Sequence, residues 1–152
     1  MKRMKTVNSE TSKISIKNFM TLNTKSIQPN ISIKEAAKTM YENHIPSLLV
    51  EEDGKTIGII TYADIALALA VYEHAPTSQI REIMSSPIIS VTSDSSILKA
   101  VEVMLEKRIH KIPIMDNEKL QGIISATDLM VLLSMLNEKQ IYDVIKGQIK
   151  EI

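Results

Sequence analysis

One seven-residue pattern occurs twice in the chain, and the sequences around its two copies align without a gap. The first copy is Gly-Ile-Ile-Thr-Tyr-Ala-Asp at residues 58–64, and the second is Gly-Ile-Ile-Ser-Ala-Thr-Asp at residues 122–128. Outside the pattern the same offset of 64 residues aligns Met20 with Met84. Self-similarity at a fixed period indicates a repeated structural unit. The sequence therefore predicts two copies of one unit, related by an approximate twofold axis.

Local patterns predict that each unit runs strand, helix, strand, strand, helix. Ser32 and Glu35 have the spacing of a capping box, which opens a helix. Apolar residues then recur at helical spacing: Ile33, Ala36, Ala37, Met40 and Tyr41 in the first unit, and Ile97, Ala100, Val101, Met104 and Leu105 in the second. Asp53-Gly54 predicts a tight turn between two strands. The predicted fold is α/β, with two βαββα repeats that each pack a small three-stranded sheet on helices.

The pattern of apolar and polar residues also predicts the boundaries of these units. Residues 1–13 are polar and are predicted to be a flexible N-terminal tail. The first repeat is expected at 14–75 and the second at 76–136, with closing helices at 63–73 and 127–136. Residues 137–152 carry apolar residues at helical spacing and predict a C-terminal amphipathic helix. Since a unit of roughly 60 residues buries little apolar surface alone, the repeats should pack together and leave a cleft between them.

Composition narrows the classes of function. Lys plus Arg and Asp plus Glu both number 18, and aromatic residues make up 3% of the chain. Balanced charge and few aromatic side chains disfavour nucleic-acid binding. The absence of cysteine excludes disulfides and thiolate chemistry. No apolar run approaches the roughly 20 residues that span a bilayer, so we expect no membrane partner and a cytoplasmic location.

The repeated pattern admits two interpretations. Thr61 with Asp64, and Ser125 with Asp128, match the spacing of a helix cap. A strand that leads directly into a helix also leaves backbone N–H groups at the helix start, where an anion or a ligand hydroxyl can bind. Capping and ligand binding do not exclude each other, and both remain open on this pattern.

The order, spacing and duplication of these motifs resemble the CBS domain family, named after cystathionine β-synthase. Two such repeats look like one Bateman module of the stand-alone prokaryotic type, and the resemblance spans about residues 14–136. Besides the repeated pattern it includes the openings at Met20-Thr21 and Met84-Ser85, and the second strands at 45–50 and 109–114. The resemblance implies a regulatory sensor rather than an enzyme, with no required cofactor.

The resemblance also implies ligands and site residues. Such modules commonly bind AMP, ADP, ATP or S-adenosylmethionine between the repeats, with the aspartate on the ribose hydroxyls and the Ser or Thr on phosphate or ribose. AMP is the first expectation here. One cleft is expected to combine Thr61 and Asp64 with Ser85, Ile88, His110 and Lys111. The other is expected to combine Ser125 and Asp128 with Thr21, Thr24, Pro46 and Ser47.

The two clefts are not expected to be equivalent. Residues 109–113, Ile-His-Lys-Ile-Pro, are similar to the I-H-R-L-P stretch of the nucleotide-sensing subunit of AMP-activated kinase, where the basic pair contacts phosphate. The counterpart of Lys111 is Ser47. We therefore expect the cleft of Thr61 and Asp64 to bind a phosphorylated ligand more tightly. Ala63 and Thr127 stand where many family members carry an arginine, which weakens the case for di- and triphosphates.

Other residue patterns predict no catalytic or metal chemistry. His44, His74 and His110 lack carboxylate or cysteine companions at ligand spacing. The charged residues Glu102, Glu106, Lys107 and Arg108 are interpreted as solvated helix surface.

The resemblance also implies a homodimer formed through the closing helices, and an unidentified regulated protein. The main alternative is a dimerising interaction module with degenerate, unoccupied clefts. A nucleic-acid-binding regulator that uses the basic N-terminus is disfavoured by the charge balance.

Overall fold

The computed structural model describes residues 16–22 and 24–139, which form two repeats that share the order helix, strand, strand, helix. The first repeat contains β1 (Ser26–Ile27), α1 (Ile33–Glu42), β2 (Ser47–Glu52), β3 (Lys55–Thr61) and α2 (Tyr62–Ala70). The second contains α3 (Ile97–Lys107), β4 (Lys111–Asp116), β5 (Lys119–Ser125) and α4 (Ala126–Met135). The predicted α/β class and the repeat are confirmed. The predicted tail, and the predicted C-terminal helix from residue 140 onward, lie outside the described residues.

The two sheets differ in size, so the prediction of a three-stranded sheet is right only for the first repeat. There β1 pairs parallel to β2, and β2 pairs antiparallel to β3. In the second repeat β4 pairs with β5, and the counterpart of β1 is a single bridge from Val91 to Ile114. The Leu49 N–H donates to the Lys25 carbonyl at 3.0 Å, but its counterpart is Pro113. Because proline has no N–H, the second sheet lacks this bond.

The first helix of each repeat begins as the sequence predicts. The Ser32 hydroxyl accepts from the Glu35 N–H, and the Glu35 carboxylate accepts from the Ser32 N–H, so the capping box is present. The inner positions of both apolar faces are buried, but Tyr41 and Leu105 are 75% and 71% exposed. The predicted apolar face of each helix is therefore buried only in part. Tyr41 and Leu105 stand at the margin of the apolar stripe, where the helix surface turns towards solvent.

Helix α2 ends at Ala70, short of the predicted Glu73. Glu73 has a φ of 55°, which lies outside the right-handed helical region. Helix α4 ends at Met135, within one residue of its predicted end.

Each repeat completes the core of the other. The segment that precedes β1 places Ile16, Phe19 and Met20 against the core of the second repeat. The corresponding segment between the repeats places Ile80 and Met84, with Ile83, against the core of the first. This reciprocal exchange is what an approximate twofold axis produces. It also brings the exchanged segments to the junction between the repeats.

The glycine of the repeated pattern lies where the exchanged segment passes. Ile59, next to Gly58, exchanges two backbone hydrogen bonds with Ser85, at 2.9 and 3.2 Å. A Cβ on Gly58 would lie 2.9 Å from the Ser85 carbonyl oxygen, and a Cβ on Gly122 would lie 2.8 Å from the Thr21 carbonyl oxygen. Only a residue without a side chain fits at these distances.

Candidate functional site

A cleft of about 400 Å³ lies between the repeats beside Asp64. Its volume falls within the roughly 300–1,000 Å³ typical of small-molecule sites. We call it the Asp64 cleft. It is lined by Pro46, Ile59, Thr61, Tyr62, Ala63, Asp64, Ser85, Pro87, Ile89, Arg108, Ile109, His110 and Lys111.

A second cleft of about 260 Å³ lies beside Asp128 and is smaller. We call it the Asp128 cleft. It is lined by Thr21, Thr24, Lys25, Ile45, Pro46, Ser47, Lys111, Ile123, Ser125, Thr127 and Asp128. Each cleft therefore combines the start of a closing helix in one repeat with the exchanged segment and second strand associated with the other.

The structure groups the sequence-predicted site residues largely as the two-cleft scheme requires. Five of the six residues predicted for the Asp64 cleft line it, and the exception is Ile88. Pro87 and Ile89, on either side of Ile88, line the wall instead. All six residues predicted for the Asp128 cleft line that cleft: Thr21, Thr24, Pro46, Ser47, Ser125 and Asp128. The ligand contacts of these residues stay predictions.

Each aspartate uses one carboxylate oxygen to cap its helix. Asp64 Oδ2 accepts from the Thr61 N–H and the Thr61 hydroxyl, both at 2.7 Å. Asp128 Oδ2 accepts from the Ser125 N–H at 2.7 Å and the Ser125 hydroxyl at 2.6 Å. Among the hydrogen bonds of the described residues, none involves Oδ1 of either aspartate. Because a carboxylate oxygen has two lone pairs, each Oδ1 can accept two further hydrogen bonds, the number that a ribose diol donates.

The hydroxyl residues of the pattern are already engaged in the cap. The Thr61 hydroxyl donates to Asp64 and also accepts from the Asp64 N–H at 3.3 Å. Ser125 makes the same two contacts with Asp128. Each hydroxyl has a single hydrogen to donate. To donate it to a phosphate oxygen, the hydroxyl must break its hydrogen bond to the aspartate carboxylate.

The helix starts also offer fewer free donors than the sequence suggested. The Tyr62 N–H donates to the Pro46 carbonyl at 3.3 Å, and the Ala126 N–H donates to the His110 carbonyl at 2.9 Å. The N–H of Asp64 is satisfied by Thr61. Anion binding at these helix starts therefore depends mainly on side chains.

Sequence reasoning missed two basic residues, Arg108 in the Asp64 cleft and Lys25 in the Asp128 cleft. Arg108 is exposed, as expected of helix surface, yet it also lines the cleft. It caps α3 with a φ of 54°, in the left-handed region, where the chain turns from the helix towards β4. Its position directly before residues 109–113 was the available signal. Lys25 directly precedes β1, the first strand of its repeat.

Lys111 and Pro46 line both clefts. The sequence scheme assigned Lys111 to the Asp64 cleft alone. Lys111 is half-buried, and none of the ion pairs among the described residues includes it. One basic residue thus lines both candidate sites.

The described part of the chain carries neither a metal cluster nor a membrane span. Within residues 16–22 and 24–139, no group of three His, Cys, Asp or Glu side chains could hold a metal ion. None of the helices in this part is long and apolar enough to cross a bilayer.

Comparison with known proteins places the chain in a family. The sequence model of the CBS domain matches twice, at residues 16–71 and 80–134, so the chain belongs to the CBS domain family and carries two tandem copies. It is similar to the CBS domain-containing protein YhcV of Bacillus subtilis, with 32% identity over 77% of this chain and 84% of YhcV. It covers 63% and 54% of two other uncharacterised relatives. It covers 22% of a homoserine O-acetyltransferase of Methanohalobium evestigatum, with 33% identity over 70% of this chain.

Solved structures of the same fold are also similar. An uncharacterised conserved protein from Pyrococcus horikoshii has a TM-score of 0.77 at 28% identity, and the match covers 84% of this chain and 97% of that one. The CBS domain pair of protein MJ0100, in complex with 5'-methylthioadenosine and S-adenosyl-L-methionine, has a TM-score of 0.72 at 30% identity, covering 79% and 95%. The chain is thus a tandem CBS-domain protein, and one of its structural neighbours binds adenosine-containing ligands.

Proposed function

We propose that this protein is a cytoplasmic, non-catalytic regulatory module that binds an adenosine nucleotide, AMP in the first instance, in the Asp64 cleft. The observation that carries the proposal is that Asp64, whose Oδ1 accepts no hydrogen bond from the described residues, lines an apolar cleft together with basic side chains. Apolar walls suit an adenine ring, an acceptor-only carboxylate suits the ribose diol, and cations suit a phosphate. ADP, ATP and S-adenosylmethionine are the alternative ligands.

The distribution of basic side chains supports a phosphorylated ligand in this cleft. Arg108, His110 and Lys111 line it, against Lys25 and Lys111 in the Asp128 cleft. The Lys25 ammonium also donates to the Asn43 side chain. The Asp64 cleft is also the larger of the two. Both differences favour tighter AMP binding in the Asp64 cleft. The Asp128 cleft then forms the weaker second site, with Ser125, Thr21, Thr24 and Ser47.

Binding would be signalled through the relative arrangement of the repeats. A ligand in the Asp64 cleft touches β3 and α2 of the first repeat, the exchanged segment at Ser85, and the start of β4. Such a ligand favours the arrangement in which all four surfaces fit it, and a partner protein that reads this arrangement senses occupancy.

The exposed apolar residues of the closing helices favour self-association, which also suits the alternative role as a dimerising module. Leu67 and Val131 occupy equivalent positions of α2 and α4 and are about half exposed. Other large apolar side chains on or directly after these helices are exposed as well: Tyr62, Leu69, Val71, Tyr72, Met130 and Met135. We propose that these faces meet in a homodimer.

A thermal-shift comparison tests the ligand proposal. AMP, ADP, ATP, NAD and S-adenosylmethionine are added separately to the wild type and to Asp64→Ala. We expect AMP to raise the melting temperature of the wild type, since a ligand that binds only the folded state stabilises it. The increase should be much smaller in Asp64→Ala. No shift with any of these ligands would favour the structural module with unoccupied clefts.

A further inference from the structure

The half-buried Lys111 lines both clefts, while its twofold counterpart is the neutral Ser47. We propose that Lys111 couples the two clefts negatively, so that an anionic ligand in one weakens the binding of a second in the other. This inference rests on the proposed nucleotide-binding function. It adds a regulatory property to the two sites.

The two clefts share one of the basic side chains that line them. Each cleft has a basic side chain of its own, Arg108 in the Asp64 cleft and Lys25 in the Asp128 cleft. Lys111 lines both clefts, whereas its counterpart Ser47 carries no charge. A phosphate that engages Lys111 from one cleft neutralises the cation that the second phosphate would use.

Distance and burial decide whether such a coupling is large enough to measure. Both clefts are lined by Lys111 and Pro46, so ligands that fill them would be neighbours. Salt screens charges over about 8 Å at physiological ionic strength, and screening is weaker where the charges are partly buried. The coupling should therefore survive in ordinary buffers and decrease as salt is added.

The coupling can be measured by a calorimetric cycle, which is valid even when the two clefts bind AMP with different affinities. The two stepwise association constants of AMP are measured for the wild type. The single-site constants are measured with Asp128→Ala, which leaves the Asp64 cleft, and with Asp64→Ala, which leaves the other. The two stepwise constants of the wild type are multiplied together, and this product is divided by the product of the two single-site constants. The quotient is the coupling factor. It equals 1 for independent sites.

We expect a factor of about 0.1 for AMP, within the size typical of coupling between sites. Adenosine, which lacks the phosphate, should give about 1. Repeating the cycle in a Lys111→Met background should raise the AMP factor severalfold, since only the direct repulsion between the two phosphates then remains. Ser47→Lys supplies a second ammonium at the symmetric position and should also raise the factor towards 1.

The outcomes separate this inference from the proposed function. A factor of 1 for AMP in the wild type would overturn the coupling while leaving the nucleotide sites intact. A low factor that persists with adenosine, or that is the same in Lys111→Met as in the wild type, would also overturn it, because the coupling would then not be carried by this charge. One equivalent of AMP on the wild type and none on Asp64→Ala would exclude a second site. No AMP binding to the wild type would refute both proposals.

Discussion

The two glycines of the repeated pattern are positions where a single methyl group should matter. A Cβ on Gly58 would meet the backbone carbonyl of Ser85 at 2.9 Å and the sulfur of Met84 at 3.0 Å. The side chain of Met84 can move, but the carbonyl belongs to a bridge that fixes the exchanged segment against β3. The glycine is therefore part of the contact between repeats.

We predict that Gly58→Ala destabilises the protein by about 1–3 kcal/mol, the usual cost of overpacking. Chemical denaturation followed by circular dichroism measures the change. Gly122→Ala is the matched variant, since its Cβ would lie 2.8 Å from the Thr21 carbonyl oxygen, and it should lose a similar amount. Unchanged stability in both variants would show that the exchanged segments are not packed as closely as described.

Asp64 and Asp128 each cap a helix with one carboxylate oxygen. Oδ2 holds the helix start, and Oδ1 remains available on the same side chain. The pattern alone left capping and binding open because it gives only the spacing of the two residues. The cap is observed in the structure, and the role of Oδ1 stays a prediction.

At the scale of elements, the two hairpins make the same turn with different residues. Asp53 and Gly54 have φ values of 51° and 74°, and their counterparts Asn117 and Glu118 have 50° and 63°. Glycine adopts a positive φ readily, whereas a residue with a Cβ pays roughly 1–2 kcal/mol. The second hairpin therefore carries strain that the first avoids.

We predict that Glu118→Gly stabilises the protein by about 0.5–1 kcal/mol, the strain relieved less the added flexibility of glycine in the unfolded chain. The exposed ion pair between Lys55 and Glu118 at 3.4 Å is lost, but such pairs contribute little. The midpoint of urea unfolding measures the gain. Gly54→Glu is the reverse control and should lower the midpoint, because its Cβ meets open space and only the backbone strain is added. Midpoints that move in the same direction would contradict this account.

The elements that the sequence predicted well are those specified by neighbouring residues. The Ser32 cap, the Asp53-Gly54 turn and the repeat itself depend on short patterns that persist in the folded chain. The second repeat has only a single bridge at Val91 where the first repeat has β1, and we attribute this difference to Pro113, more than twenty residues away. It could not be predicted before the pairing of these segments was known. The cleft-lining position of Arg108 likewise depends on how the second repeat packs against the first.

At the scale of the whole molecule, the exposed faces of α2 and α4 predict a dimer. We expect Leu67→Lys combined with Val131→Lys to convert a dimer into a monomer, since the substitutions bury charge in an apolar interface. Analytical ultracentrifugation measures the mass. Leu105→Lys is the matched control, because Leu105 is exposed on α3, outside the proposed interface. A monomeric wild type, or a double variant that stays dimeric, would refute the proposed interface.

A crystal structure of the protein grown with AMP would show whether the Asp64 cleft is an adenosine-nucleotide site. We predict a nucleotide in this cleft, with both ribose hydroxyls about 2.5–3.0 Å from the Asp64 carboxylate and the phosphate beside Arg108 and Lys111. A nucleotide bound only in the Asp128 cleft, or bound here with its ribose away from Asp64, would contradict this prediction.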